Sequence, residues 1–350
     1  MTTNEESPAP PLTAANARQV AQEWVETAGR HLPGFAGAWL AGSLAWLPDD
    51  ALIPRWSDTD ILIVLQGTNP PKLGKLLYND VLLEVSFLEF DAVADAARLA
   101  ADYRVSCSFV QGTLLADPTG RLAEVRASLA SGFFRPQAIE ERIHQVREAS
   151  RSALTGEPST SRSLPWQAMW VFPAGLPTHM PLLAIGENPT VRRRYEKVHA
   201  VFAQAGRSDL YDDLLAATGY GDLTHDDVLA FWEATATAFD RASPYSARAT
   251  SFFASDISPV ARPISIDGTF AAIEAGHHRE ALFWLVATQA RSLAIIEEVA
   301  PEAIDDRLQE NFLALLNRLG LATAGERAAK SAAIVALLPA IEEFSLGLIA

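Results

Sequence analysis

Cysteine is almost absent: Cys107 is the only one in 350 residues. No intrachain disulfide and no cysteine-built metal cage can form, which suits a reducing compartment. Long apolar runs are missing too. The longest apolar block, Ala281 to Ala290, is interrupted by Thr288 and Gln289 and falls well short of the roughly 20 residues a membrane helix needs. The start, Met1 to Pro11, has neither a basic n-region nor an apolar h-region. It reads as a loose tail, taken here as residues 1–12, and not as a signal peptide. A cytoplasmic protein with no membrane partner is expected.

A basic surface is also lacking. The formal net charge is −15, and it is spread along the chain: residues 1–130 carry 9 basic and 16 acidic side chains, and residues 131–350 carry 19 and 27. A protein that grips a nucleic-acid backbone shows a basic stripe or domain, so no nucleic-acid partner is expected. An acidic surface favours a cationic small molecule, although acidity also serves solubility alone. No repeat or low-complexity tract is evident.

What is present is ample core material. Hydrophobic residues make up 49% and charged residues 20%, the balance of a folded globular chain, and the length suggests two domains. Strand patterns are confined to the first third; from Pro136 onward the pattern is helical almost throughout. The expected class is α+β, with a mixed β-sheet and flanking helices over residues 13–134 and an all-α domain over 135–350. Thr13 to His31 reads as an amphipathic helix capped by Thr13. Gly268 to Val299 reads as one long helix, Ala242 to Pro263 as an irregular connection, and Ala322 to Leu348 as a helix kinked at Pro339.

The informative stretch runs from Phe35 to Phe90. Ser57-Asp58-Thr59-Asp60 opens an apolar run, Ile61 to Leu65, with the marks of a buried strand. Residues i and i+2 of a strand share a face about 6–7 Å apart, so Asp58 and Asp60 converge on one point. Such a pair attracts a hard divalent cation. Upstream, a strand over Phe35–Ala41 meets Gly42-Ser43 and a short helix, a turn whose amides and hydroxyl suit a phosphate. Downstream, Asn79-Asp80 reads as a hairpin turn into a strand carrying Glu84, a lone carboxylate between apolar neighbours. Glu89 has a similar setting but lies an odd number of residues away, on the opposite face of an unbroken strand.

Gly42-Ser43, then Asp58-x-Asp60 at the head of a strand, then Leu83-Glu84-Val85 on a later one, resembles the polymerase-β-type nucleotidyltransferase superfamily. Within it the arrangement is most similar to stand-alone bacterial enzymes such as the aminoglycoside nucleotidyltransferases. The motifs cover about Phe35 to Phe90, and the interval from Ser43 to Asp58 is long for that pattern, which implies an enlarged loop. The resemblance implies a transferase that moves a nucleoside monophosphate, AMP in the first instance, from an NTP to a hydroxyl and releases pyrophosphate. It implies two Mg²⁺ ions held by Asp58 and Asp60, phosphates held by Gly42 and Ser43, and Glu84 as third metal ligand or general base. ATP would be the co-substrate, and a small, cationic, aminoglycoside-like antibiotic the acceptor, an antibiotic-resistance activity. A protein acceptor, or a non-catalytic nucleotide-binding module of toxin–antitoxin type, is the alternative; oligomeric state, monomer or dimer, stays open.

An acceptor pocket is expected between the two domains, with Arg192, Glu274, His277 and Glu280 as contributors. Asp49, Asp50 and Arg55 are read as a solvated loop, with contact to nucleotide or metal water as the alternative; Lys72, Lys75 and the rest of the Arg192–Arg194 run are read as surface side chains, with phosphate contact as the alternative. Trp166, Trp170, Trp232 and Trp284 read as core, and the adjacent His277 and His278 point too far apart to share a metal, so they are expected at the helix surface or pocket edge and not at a metal site.

Overall fold

A computed structural model describes residues 11–156, 162–190 and 192–349. Most of the tail expected over residues 1–12 lies outside these, as does most of the Gly156–Ser161 loop. Leu12 is tied down: its carbonyl accepts from the amide of Ile53 at 2.8 Å. Thr13 caps the Ala14–Thr27 helix by accepting from the amide of Asn16, and a separate 3-10 turn covers Gly29–His31.

The protein is α+β, with a five-stranded mixed sheet in the N-terminal half and a helical C-terminal part. The strands are β1 (Phe35–Leu40), β2 (Thr59–Leu65), β3 (Gly74–Tyr78), β4 (Val81–Glu89) and β5 (Thr113–Ala116). Their order across the sheet is β3-β4-β2-β1-β5. All neighbours are antiparallel except β2 and β4, which run parallel with Asp60 opposite Glu84. The hairpin between β3 and β4 turns on Asn79 and Asp80, both at positive φ, the two-residue geometry whose twist matches the strands.

The period of two sorts the side chains onto two faces. Leu40, Ile61, Ile63, Leu83 and Val85 pack with Ala17, Ala21 and Trp24 of the first helix. Trp39, Ala41 and Val64 point the other way, into a core that continues through the helical part to the His278–Val299 helix. Asp60 shares this second parity, so the carboxylates look toward the helices. Phe133 and Ile139 belong to that same core, so burial is continuous across the boundary expected near residue 134.

The central helix is shorter than the pattern predicts. Gly268–Glu274 and His278–Val299 are separate helices, because Gly276 adopts φ +89° and the chain turns at Ala275–His277. The connection expected as irregular is a series of 3-10 turns over Ser243–Arg248, Ala254–Ile257 and Pro259–Ala261, then a π-helical turn at Pro263–Asp267. The last helix, Ala324–Leu346, carries Pro339 in its interior. Among the described residues no helix is long and apolar enough to cross a membrane.

Candidate active site

β1 delivers its chain end to the middle of the sheet, where the amide of Ala41 donates to the carbonyl of Asp60 at 2.9 Å. Gly42 follows at φ +66°, ψ −166°, a region open in practice only to glycine. A 3-10 turn over Ser43–Ala45 comes next. The long loop to Asp58 is held by Arg18, which donates to the carbonyl of Leu44 at 2.8 Å, to the carbonyl of Leu47, and to Asp49 at 2.6 Å. Asp49, expected to be solvated, is exposed and serves as this clamp.

Asp58, just ahead of β2, and Asp60 within it meet Glu84 of β4. Each offers an oxygen, and the three oxygens all lie within 4.8 Å of one another. The strand period explains the aspartates, and the parallel register supplies the glutamate. Lys75 of β3 stands directly opposite Glu84. Its ammonium donates to Asp58 at 2.8 Å and to Glu84, and lies 3.6 Å from Asp256. Lys72 also pairs with Glu84. With its side chain only 6% exposed, Lys75 is not the surface lysine that the sequence suggests.

Electrostatics follow from burial and neighbours. Burial, reinforced by Asp58 and Glu84, pushes Asp60 well above the usual carboxylate range. For Glu84 burial acts upward as well, yet Lys75 and Lys72 overcome it and hold the group well below that range. Burial works against the charge of Lys75, but Asp58, Glu84 and Asp256 more than compensate and hold it above the usual lysine value.

A cavity of about 970 Å³ opens between this edge of the sheet and the helices, lined by Ser43, Asp58, Glu84, Arg192, Trp284 and Arg291 among others. Arg192 donates to Thr269 at 2.8 Å, and its guanidinium lies 4.5 Å from the ring centre of Trp284. Burial pulls it down to about 10, against the nearby Asp58 and Asp256, so it remains charged near neutrality. Arg291 donates to Asp256 at 3.0 Å, which itself faces Lys75. Trp46 and Trp56, 41% and 43% exposed, also line the cavity.

The structure therefore gathers Gly42, Ser43, Asp58, Asp60, Glu84, Arg192 and Glu280 around one space. Glu274 is outside it. The end of its helix turns Ala271 and Ala272 to the cavity and leaves the glutamate exposed, 3.6 Å from His225. His277 also lies off the lining, beside Glu196 and Glu280. Trp166, Trp170 and Trp232 pack on the core, but Trp284 is shared between core and cavity. Sequence reasoning weighs Lys75 only as a phosphate contact or a surface lysine, not as the partner of Asp58 and Glu84, and misses Asp256 and Arg291. For Lys75 a signal existed: counting back from the Asn79-Asp80 turn pairs it with Glu84.

The donor set fits a hard divalent ion. Three carboxylates offer only oxygen, the donor type that Mg²⁺ takes. Gly42 packs directly against the Asp60 carboxylate, where any side chain would collide with it. In searches of protein-family models and of curated proteins, nothing matches the chain.

Proposed function

We propose that this protein is a Mg²⁺-dependent nucleotidyltransferase that moves a nucleoside monophosphate, AMP in the first instance, from an NTP to a hydroxyl of a small cationic molecule. The observation that carries the reading is the meeting of Asp58, Asp60 and Glu84 with the Gly42-Ser43 turn at one wall of a cavity. Asp58 and Asp60 would hold the metal, with Glu84 beside them. When bound, Mg²⁺ neutralises phosphate charge and orients the group being transferred.

The remaining work falls to side chains. Ser43 and the turn after Gly42, which line the cavity, would receive phosphate oxygens. Arg192 and Lys75 bring positive charge to the same space, which favours the triphosphate and its departing pyrophosphate. Glu84, kept ionised by its two lysines and held well below the usual carboxylate range, is a weak base and is better suited to join the metal than to take a proton from the incoming hydroxyl. Trp46 and Trp56 offer aromatic faces on which a base or a sugar ring can rest. The cavity is large enough for a nucleotide with a small acceptor beside it, and the net charge of −15 favours a cationic acceptor.

The test is pyrophosphate release from each of the four NTPs with Mg²⁺ and a panel of amino-sugar and other polyol acceptors. Acceptor-dependent release that disappears in Asp60→Asn supports the reading. A wild-type protein that releases none across the panel, while binding no nucleotide, contradicts it.

A further inference from the structure

Beside the cavity, in the helical part, lies a second cluster of metal-ligating groups, built from two short motifs on different helices. Glu196 and His199 lie three apart on the Arg194–Gln204 helix, and His277 and Glu280 lie three apart at the start of the His278–Val299 helix. Residues at i and i+3 share a helix face, so each helix offers one imidazole and one carboxylate to the other. Nδ1 of His199 lies 3.4 Å from Oε1 of Glu280, and Nε2 of His277 lies 3.8 Å from Oε2 of Glu196. Ligand atoms of His199, His277 and Glu280 all fall within 4.8 Å of one another. Donors about 2.0–2.1 Å from a tetrahedral ion stand about 3.3–3.5 Å apart.

The supporting contacts are those of a held ligand set. Glu280 is 5% exposed and accepts from the hydroxyl of Tyr211 at 2.9 Å. The ring of His199 stacks on Tyr211, 4.9 Å between centres and 6° from parallel. One tyrosine thus fixes both a carboxylate and an imidazole, the role that outer partners play around metal ions. Glu196 is otherwise engaged with Arg193, whose side chain is 73% exposed, a pairing of small energetic weight.

We propose that His199, His277 and Glu280 form a binding site for a borderline divalent ion of the Zn²⁺ class, separate from the three carboxylates at the sheet. Two imidazoles and one carboxylate select such an ion over Mg²⁺. The ion joins the two helices beside the cavity, and Glu196, which faces His277, adds negative charge nearby. Bound there, it ties the two helices together by ligation instead of by histidine–glutamate contacts alone.

The test uses untagged full-length protein stripped of metal and carrying Asp58→Asn/Asp60→Asn, so that Zn²⁺ cannot be captured by the aspartates. Calorimetric titration with Zn²⁺ alone should show one saturable site. Adding His277→Ala, a side chain 31% exposed and so removable without unfolding, should weaken it at least about 100-fold. Tyr211→Phe, which keeps the stack but loses the hydrogen bond, should weaken it about 10–100-fold. Co²⁺ in place of Zn²⁺ should give the intense visible bands of a tetrahedral site, lost in His277→Ala. No saturable Zn²⁺ binding, or binding that both His277→Ala and His199→Ala leave unchanged, overturns the proposal. Since no nucleotide is present, failure of the transferase reading leaves this result untouched.

Discussion

A Cβ placed on Gly42 would stand 2.0 Å from Oδ2 of Asp60. Backbone and carboxylate are therefore fitted to each other, and Gly42 is at a φ of +66° that side chains avoid. Gly42→Ala should lose about 1–3 kcal/mol of stability from the backbone conformation alone, and the displaced Asp60 should weaken Mg²⁺-dependent nucleotide binding by at least about tenfold. Denaturant midpoints and nucleotide titration read the two effects separately.

Lys75 is the counter-charge of the acidic cluster. Replacing it with Met leaves Asp58, Glu84 and Asp256 facing one another, so the metal-free protein should lose about 3–5 kcal/mol, the usual cost of breaking a buried ion pair from one side. Added Mg²⁺ should then raise the melting temperature of Lys75→Met more than that of the wild type. An equal rise in both would show that the lysine does not balance these carboxylates.

Arg192 should matter for the triphosphate. A charge-assisted hydrogen bond is worth about 1.5–3 kcal/mol, so Arg192→Met should raise the KM for NTP about 10–100-fold while the KM for the acceptor stays near its wild-type value. The reverse pattern would place Arg192 on the acceptor side.

His179 gives the pH dependence of stability. It is buried against Tyr103, with ring centres 5.6 Å apart, and burial, helped by Arg194, holds it well below the usual histidine value. The unfolded chain binds the proton more readily, so this contribution is fully present above about pH 6.5 and drains away as pH falls. The slope approaches about 1.4 kcal/mol per pH unit for one group. His179→Phe should flatten the stability profile between pH 6.5 and 5 relative to wild type. Parallel profiles would mean that the ring titrates as it does in the unfolded chain.

The pair of aspartates was readable because a strand's period leaves no freedom: Asp58 and Asp60 must share a face once Ile61 to Leu65 is buried. Glu84 was readable from its apolar flanks. β3 was not, because Gly74 to Tyr78 is a half-exposed edge strand without β-branched residues, and its lysine looks like any surface lysine until the hairpin register is counted. Asp256 and Arg291 were out of reach for a different reason. They arrive from the helical part through long-range packing, which no local pattern encodes. The break at Gly276 was also hidden, since one glycine in a helical pattern costs only about 1 kcal/mol and here marks a real turn.

The most direct measurement of the central claim is calorimetric titration of Mg²⁺-NTP analogues, non-hydrolysable at the α–β bond, into wild type and Asp58→Asn/Asp60→Asn, with and without candidate acceptors. The account predicts wild-type binding that requires Mg²⁺ and is lost in the double variant. Wild-type protein that binds no nucleotide under any of these conditions, or binding that survives loss of both aspartates, would contradict it.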